Sequence, residues 1–336
     1  MRILFLLFIT CQFSFGQTIL KTRIDSLLSV KSQTPFNGIV LISQNETAHY
    51  IHVKGFSDIL SQTPLSVKDQ FVIGSISKQF TAVLILQQFD KRRLKLDVPI
   101  RKYLPELKQS WSDTITIHHL LTHTHGIQNL QKATAFKAGS QYAYSQLGYD
   151  LLARIAERVS KKTFVQLAQE LFRKCNMIHT FHPDEHKYHL VKGYTEQFNG
   201  RLRLDSSSLD NYPAAGGFIS TVEDLDSWNH YLHEGKLLKA STYHIMITKQ
   251  SNAVRQHPIF GLTEYGYGLT VNEEKNIVQL GQTGFVPGFV SMNFYYPESK
   301  TSIIVLENVV YGMNNLKQSF YYHLEILKLV KEDMSQ

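Results

Sequence analysis

The sequence predicts an α+β fold in which an antiparallel sheet is flanked by N- and C-terminal helices and carries a large helical insertion. Apolar residues follow the period of strands near the start of the chain and again near its end. Between these regions they recur with the 3.6-residue period of helices. Because strand patterns come from both ends, we expect one sheet completed by both ends of the chain, with the helical stretch as a lobe beside it.

The N-terminal part predicts a helix that leads into a hairpin. Residues 19–30 place apolar side chains at helical spacing. Residues 36–43 and 47–53 have strand character on either side of the turn sequence Gln44-Asn45-Glu46. This hairpin is expected to supply the first two strands of the sheet.

The rest of the chain predicts a helical lobe over about residues 80–190, followed by a return to strands. Helical periodicity marks four windows, at residues 81–88, 117–122, 149–159 and 164–172. Strand character marks four later segments, at residues 267–271, 276–280, 289–296 and 301–307. A last helix is expected over about residues 314–330. Residues 17–336 are therefore expected to form one domain.

The first 16 residues have the pattern of an export signal. Arg2 precedes an apolar stretch of about 13 residues, and Ser14-Phe15-Gly16 offers a small-x-small cleavage site before Gln17. That stretch is shorter than the roughly 20 residues that span a bilayer, so no stable membrane anchor is expected. Cleavage near Gly16/Gln17 predicts a periplasmic or secreted protein. Lipoprotein processing at Cys11 is the alternative, although Thr10 is larger than the residue that usually precedes such a cysteine.

Composition excludes some classes of partner. The 336 residues are 43% apolar and 19% charged, which is the range of ordinary globular proteins. The formal net charge of +7 is spread along the chain without a block of like charges, so no nucleic-acid partner is expected. Cys175 is the single cysteine outside the signal, and its apolar helical context predicts a buried residue rather than a nucleophile. The oligomeric state is not predicted.

A serine and a lysine at the start of the helical lobe suggest nucleophilic catalysis. Ser75 and Lys78 follow Gly74 and stand three residues apart, so on a helix they share one face and can touch. Serine is a poor nucleophile until a base takes its proton, and lysine is a base only when neutral. Burial and the positive end of the helix both lower the pKa of a lysine, so the pair is a coherent catalytic dyad.

Further motifs follow this pair in a characteristic order. They are Ser75-x-x-Lys78, the segment from Ile115 to Gly126 that contains His-Leu-Leu-Thr-His, Tyr144-Ser145-Gln146, Pro213-Ala214-Ala215-Gly216-Gly217, Gly281-Gln282-Thr283-Gly284 and Pro287-Gly288-Phe289. In this order and spacing, from about residue 20 to residue 330, the chain resembles the class C β-lactamase and serine DD-peptidase superfamily, which includes esterase-like members. The resemblance implies a β-lactamase/transpeptidase-like fold and says nothing specific about the substrate.

The resemblance also implies roles for individual residues. Ser75 corresponds to the acylated nucleophile, Lys78 to its basic partner, and Tyr144 to a phenol that shares the proton and passes it to the leaving group. An ordinary phenol is a poor base at neutral pH, so this role requires cationic neighbours such as Lys78 to lower the pKa of Tyr144. The backbone N–H groups of Ser75 and Phe285 correspond to the oxyanion hole. The implied protein is an exported serine hydrolase without a cofactor, acting on a small-molecule or peptide substrate.

Two positions depart from the superfamily pattern. Gln146 stands where Asn is usual, and Gln282, beside Thr283 and Gly284 on the substrate-binding strand, stands where Lys or His is usual. A glutamine at 282 offers a substrate carboxylate only a neutral N–H, which favours neutral esters or amides over β-lactams. The same departures leave open a catalytically decayed binding protein as an alternative. A D-Ala-D-Ala carboxypeptidase-like enzyme of peptidoglycan is a third possibility, although the glutamine at 282 argues against it.

The histidines near residue 120 could suggest zinc. His119 and His123 are spaced i, i+4 and His125 follows, but no glutamate lies between them to act as a hydrolytic base. The superfamily carries a similar His-Leu-Leu-Thr-His segment as part of its structure. We therefore predict no metal site.

Overall fold

A computed structural model describes residues 19–206, 209, 212–274 and 276–335. The predicted signal at residues 1–16 and the alternative processing site at Cys11 lie outside these residues. Within them, no helix combines the length and the hydropathy needed to cross a bilayer.

Helices and strands are numbered here in chain order. The helices are α1 (19–29), α2 (Ser77–Asp90), α3 (Ile117–Leu121), α4 (Gln146–Ser160), α5 (Phe164–Lys174), α6 (Pro213–Gly216), α7 (Val222–His233), α8 (Ala240–Ile247), α9 (Leu316–Ser319) and α10 (Tyr321–Met334). The strands are β1 (Gly38–Gln44), β2 (Thr47–Lys54), β3 (Phe56–Asp58), β4 (Thr63–Pro64), β5 (Phe71–Val72), β6 (Tyr194–Glu196), β7 (Leu202–Leu204), β8 (Ile219–Ser220), β9 (Val254–His257), β10 (Gly261–Glu264), β11 (Thr270–Glu274), β12 (Ile277–Val286), β13 (Phe289–Tyr296), β14 (Thr301–Glu307) and β15 (Val309–Val310). Single 3-10 turns are found at Gly74–Ile76, Ile100–Lys102, Ser110–Asp113 and Pro183–Glu185.

The central sheet joins the two ends of the chain, as the sequence predicts. Its six strands lie in the order β11-β12-β13-β14-β1-β2, and every neighbouring pair is antiparallel. The pairing of β1 with β14, in which Leu41 lies opposite Ile304, connects the N-terminal hairpin to the C-terminal strands. The predicted α+β fold class is confirmed.

Both faces of the sheet are buried, because successive side chains of a strand point to opposite sides. On β1, Ile39 and Leu41 join the larger core, which contains α2, α4, α5 and α7. Val40 and Ile42 join a second core, which contains α1 and α10. The terminal helices therefore cover one face, and the helices of the insertion lie on the other.

The insertion differs from the predicted lobe at its C-terminal side. Helices α6, α7 and α8 all lie beyond residue 190, and α7 packs against β1 and β14 of the central sheet. The hairpin formed by β9 and β10 has no counterpart in the sequence prediction. Its strands have only four residues each, and their buried positions are the polar residues His257 and Thr263, so they lack a strong apolar periodicity.

Candidate active site

Ser75 lies in the 3-10 turn Gly74–Ile76, directly before α2. Gly74 has φ +54°, and a Cβ atom at this position would lie 2.8 Å from the backbone nitrogen of Phe285 and 2.9 Å from the Cα atom of Gly284. Only glycine tolerates both this backbone conformation and this close approach. The turn that carries Ser75 is therefore held directly against strand β12.

Lys78 lies in the first turn of α2, and its side chain is fully buried. Its Nζ atom is 2.6 Å from Oε1 of Gln146, 2.6 Å from the carbonyl oxygen of Ala215 and 3.3 Å from Oγ of Ser75. A neutral amine has two N–H donors and one lone pair. The two short contacts to carbonyl oxygens use both donors, which leaves the lone pair for the Ser75 hydroxyl.

The electrostatic surroundings favour this neutral form of Lys78. Burial lowers the pKa of its amine well below 10.5, and the nearby Arg255 guanidinium lowers it further. No acidic side chain forms an ion pair with Lys78 in the part of the chain that the structure describes. The direction of this shift is the one that a basic role of Lys78 requires, and burial is its main cause.

Tyr144 contacts the other side of the serine hydroxyl. Its hydroxyl donates to Oγ of Ser75 over 2.6 Å, and Nζ of Lys78 lies 4.6 Å from the centre of its ring. Burial raises the pKa of Tyr144 well above 10.0, and the neighbouring Tyr265 raises it further. A basic role for Tyr144 requires a lowered pKa, but burial outweighs the opposite effect of the Arg255 guanidinium. Tyr144 is held in its protonated form and is suited to donate a proton.

Gln146, which stands where asparagine is usual in the superfamily, contacts Lys78. It is the first residue of α4, whose N-cap Ser145 accepts a hydrogen bond from the backbone N–H of Gly148. From this position the longer side chain still reaches Nζ of Lys78. The extra methylene group is accommodated, and the amide carbonyl orients the amine.

Gln282 does not occupy the position that the sequence analysis gave it. Its side chain is only 2% exposed, donates to the hydroxyl of Tyr265 and accepts from the backbone N–H of Thr283 over 3.2 Å. We expected this side chain to face the substrate and to select neutral groups. Its amide is instead committed to the buried Tyr265, so the residue carries no evidence about substrate charge.

The neighbours of Gln282 lie close to the nucleophile. A Cβ atom on Gly284 would lie 2.1 Å from the carbonyl oxygen of Ile73, two residues before Ser75. Thr283 borders a small cavity together with Arg255 and Gln282. The backbone nitrogen of Phe285 lies beside Gly74, which is compatible with an oxyanion hole shared by Ser75 and Phe285. That role remains a prediction.

Three contributors to the site were not found from the sequence. The carbonyl of Ala215 holds Lys78, Tyr265 holds Gln282, and Arg255 stacks over Tyr144 with its Cζ atom 5.1 Å from the ring centre. The sequence offered a signal for Tyr265, because residues 265–268 read Tyr-Gly-Tyr-Gly and such glycines indicate a close backbone approach. Gly268 of that motif has φ +78°, and a Cβ atom there would lie 2.7 Å from the carbonyl oxygen of Lys78. Arg255 had no signal, because its hairpin was not predicted.

Three histidines near residue 120, His119, His123 and His125, accept hydrogen bonds from backbone N–H groups. Nδ1 of His119 takes part in a capping box with Thr116 at the start of α3, Nδ1 of His123 accepts from the N–H of Ser145 over 3.1 Å, and Nδ1 of His125 accepts from the N–H of Ile127 over 2.9 Å. The His123 ring also packs against Tyr144, with 4.5 Å between ring centres. These contacts shape the loop that precedes Tyr144.

A different group of side chains could offer ligand atoms to a metal ion. Glu46, His230 and Glu234 place one ligand atom each within 4.8 Å of one another. The amines of Lys236 and Lys300 lie 3.6 and 3.7 Å from Glu234, and the Lys236 amine also contacts His230. These amines already place positive charge beside the cluster.

Comparisons with known proteins agree with this fold. A family model described as Beta-lactamase matches residues 31–328. Teichoic acid D-alanine hydrolase from Staphylococcus aureus is 25% identical over 316 residues, which cover 87% of this chain and 75% of that protein. The chain belongs to the β-lactamase family of hydrolases.

Solved structures show the same fold at lower identity. The D-amino acid amidase from Ochrobactrum anthropi SV3, solved with L-phenylalanine amide, has a TM-score of 0.79 and 18% identity, and the match covers 95% of this chain and 97% of the amidase. The octameric penicillin-binding protein homologue from Pyrococcus abyssi has a TM-score of 0.76 and 24% identity, with 93% of this chain and 77% of that chain covered. The overall architecture is therefore shared with both.

Proposed function

We propose that this protein is an exported serine hydrolase that forms an acyl-enzyme at Ser75 on an ester or amide substrate. The observation that carries this proposal is that Lys78 and Tyr144 both contact the side-chain oxygen of Ser75. Oγ of Ser75 lies 3.3 Å from the buried amine of Lys78 and accepts a hydrogen bond from Tyr144 over 2.6 Å. A serine between a neutral amine and a protonated phenol has both a base and an acid within reach.

In the acylation step, Oγ of Ser75 attacks the carbonyl carbon while its proton passes to the lone pair of Lys78. The carbonyl oxygen becomes an oxyanion, which the backbone N–H groups of Ser75 and Phe285 would stabilise. The resulting ammonium keeps its hydrogen bonds to Gln146 and Ala215, which accept well from a cation.

The leaving group needs a proton, and Tyr144 is placed to supply it. When the bond from the carbonyl carbon to the leaving oxygen or nitrogen breaks, the phenol protonates that atom and regains a proton from the Lys78 ammonium. Lys78 is then neutral again. Deacylation reverses these roles with water or another acceptor in place of the leaving group, and releases the acid or transfer product with Ser75 restored.

The named relatives suggest the acyl group. Teichoic acid D-alanine hydrolase and D-amino acid amidase are both named for D-amino acyl substrates. We therefore propose D-amino acyl esters or amides as substrates. A decayed binding protein is disfavoured, because Ser75, Lys78 and Tyr144 retain their mutual contacts and Gln146 still orients the amine.

Hydrolysis of a substrate panel tests this proposal. The panel contains D-alanyl and L-alanyl esters, D-alanine amide, a D-Ala-D-Ala peptide and a cephalosporin. We expect the wild type to prefer the D-alanyl ester or amide, Ser75→Ala to lose turnover, and the exposed control Ser110→Ala to keep it. A wild type that hydrolyses no member of the panel, or a fully active Ser75→Ala variant, would contradict the proposal. Preferential cleavage of the peptide would identify a peptidoglycan enzyme instead.

Export is the remaining part of the proposal, and it rests on the pattern of residues 1–16. We expect N-terminal sequencing of the protein recovered from outside the cytoplasm to begin at Gln17. A lipid-modified Cys11 would identify the alternative processing route, and a retained Met1 would contradict export by cleavage.

A further inference from the structure

Arg255 is a cation beside Tyr144 and has no acidic partner among the described residues. It lies on β9, and its guanidinium stacks over the ring of Tyr144 with Cζ 5.1 Å from the ring centre. Its Nε atom is buried without a hydrogen-bond partner. Within the part of the chain that the structure describes, no aspartate or glutamate forms an ion pair with this side chain. A buried donor without a partner is costly, so it marks a position that a ligand can fill.

The groups around Arg255 do not compensate its charge. Burial lowers the pKa values of Lys78 and His123 well below their usual range and raises those of Tyr142 and Tyr144. Burial therefore disfavours the charged form of each of these groups, whereas an arginine side chain keeps its charge throughout the physiological range. His257, the other titratable residue of β9, has its pKa lowered to about 4 by burial and by Arg255. The site thus carries one unbalanced positive charge.

The position of Arg255 places this charge on the side of the substrate where the leaving group would lie. Arg255 covers the ring of Tyr144, the residue that in the proposed function protonates the leaving group. It also borders the same small cavity as Thr283 of the substrate-binding strand. Gln282, where relatives usually have a cation, is buried against Tyr265 and contributes no charge there.

We propose that Arg255 binds an anionic group of the leaving portion of the substrate, a carboxylate or a phosphate. The planar guanidinium offers paired N–H donors that match the oxygens of either group. This proposal rests on the proposed function and narrows its substrate class. The cation is thus supplied from the β9–β10 hairpin rather than from strand β12.

A matched set of substrates tests this inference. D-Alanyl esters of lactate, of methyl lactate and of glycerol phosphate share one acyl group and differ in the charge of the leaving portion. We expect the wild type to favour the two anionic esters, and Arg255→Gln to lower the ratio of kcat/KM for anionic over neutral ester by about tenfold. Arg255→Lys should retain part of that preference. Comparing kcat/KM for the lactate ester with kcat/KM for the glycerol phosphate ester shows whether Arg255 favours a carboxylate or a phosphate.

The ratio of kcat/KM for anionic over neutral ester separates substrate binding from the effect of Arg255 on Lys78. A change in the pKa of Lys78 affects all three esters alike and leaves this ratio unchanged. The exposed control Arg201→Gln should leave the ratio unchanged. An unchanged ratio in Arg255→Gln, with the neutral ester still hydrolysed, would overturn the inference and leave the proposed function intact.

A binding measurement keeps the inference testable without turnover. Calorimetry on Ser75→Ala protein should give tighter binding of the glycerol phosphate ester than of the methyl lactate ester, and the additional Arg255→Gln change should remove that difference. This result in a protein whose wild type hydrolyses none of the esters would support the inference and refute the proposed function. Equal affinities with and without Arg255 would refute the inference.

Discussion

Replacing Lys78 with methionine is expected to lower kcat/KM by about 100-fold or more, which corresponds to about 2.7 kcal/mol of transition-state stabilisation. Methionine has a similar length and suits a buried position, but it has no lone pair on nitrogen to accept the Ser75 proton. Lys91→Met, at the exposed end of α2, is the matched control and should keep wild-type turnover. Steady-state kinetics on the preferred ester checks both variants. Wild-type turnover in Lys78→Met would show that another group is the base.

The lowered pKa of Lys78 has a second, independent consequence. The folded protein holds this amine neutral at pH values where the unfolded chain, with its pKa near 10.5, binds a proton. Between the two pKa values the unfolded state binds more protons, so the free energy of unfolding rises with pH in that window. We expect this rise in the wild type and its loss in Lys78→Met, measured by denaturant unfolding across the alkaline range. The same titration predicts that turnover falls as pH drops through the folded pKa.

Replacing Tyr144 with phenylalanine is the second change with a large expected effect. The variant keeps the ring that packs on His123 but loses the hydroxyl that donates to Ser75, so turnover of an alkyl ester should fall by about 100-fold. The loss should be much smaller for a 4-nitrophenyl ester, because that leaving group departs without a proton. The dependence of the loss on the leaving group distinguishes a proton donor from a residue that only shapes the site.

Tyr142→Phe is the matched control for this experiment. Its hydroxyl lies two residues away in the chain and is not among the described hydrogen-bond partners of Ser75 and Lys78. We expect its turnover to stay within about twofold of the wild type. Equal losses with both esters in Tyr144→Phe would contradict the assignment of Tyr144 as the acid.

The parts of the site that the sequence predicted are those that depend on local geometry. Ser75 and Lys78 are three residues apart at a helix start, so their contact follows from helical geometry alone. The lowered pKa of Lys78 followed from the expected burial of that helix. The effect of burial on Tyr144 was underestimated, because nothing in the local sequence indicates how completely the surrounding residues exclude water from a loop tyrosine.

The parts that the sequence did not predict depend on contacts between distant segments. The carbonyl of Ala215 reaches Lys78 from 137 residues away, and Gln282 turns to Tyr265 only because that ring is buried beside it. Arg255 reaches Tyr144 from a hairpin whose short strands carry little apolar pattern. In the same way, the packing of α7 against the central sheet is a property of the folded chain.

Covalent labelling of Ser75 tests the central claim most directly. Folded protein is incubated with a fluorophosphonate probe, its intact mass is measured, and the adduct is located by peptide mapping. We predict a single adduct on Ser75, its loss in Ser75→Ala, and much slower labelling in Lys78→Met. An adduct on another residue, or no adduct on folded protein that hydrolyses the ester, would contradict the claim that Ser75 is the nucleophile.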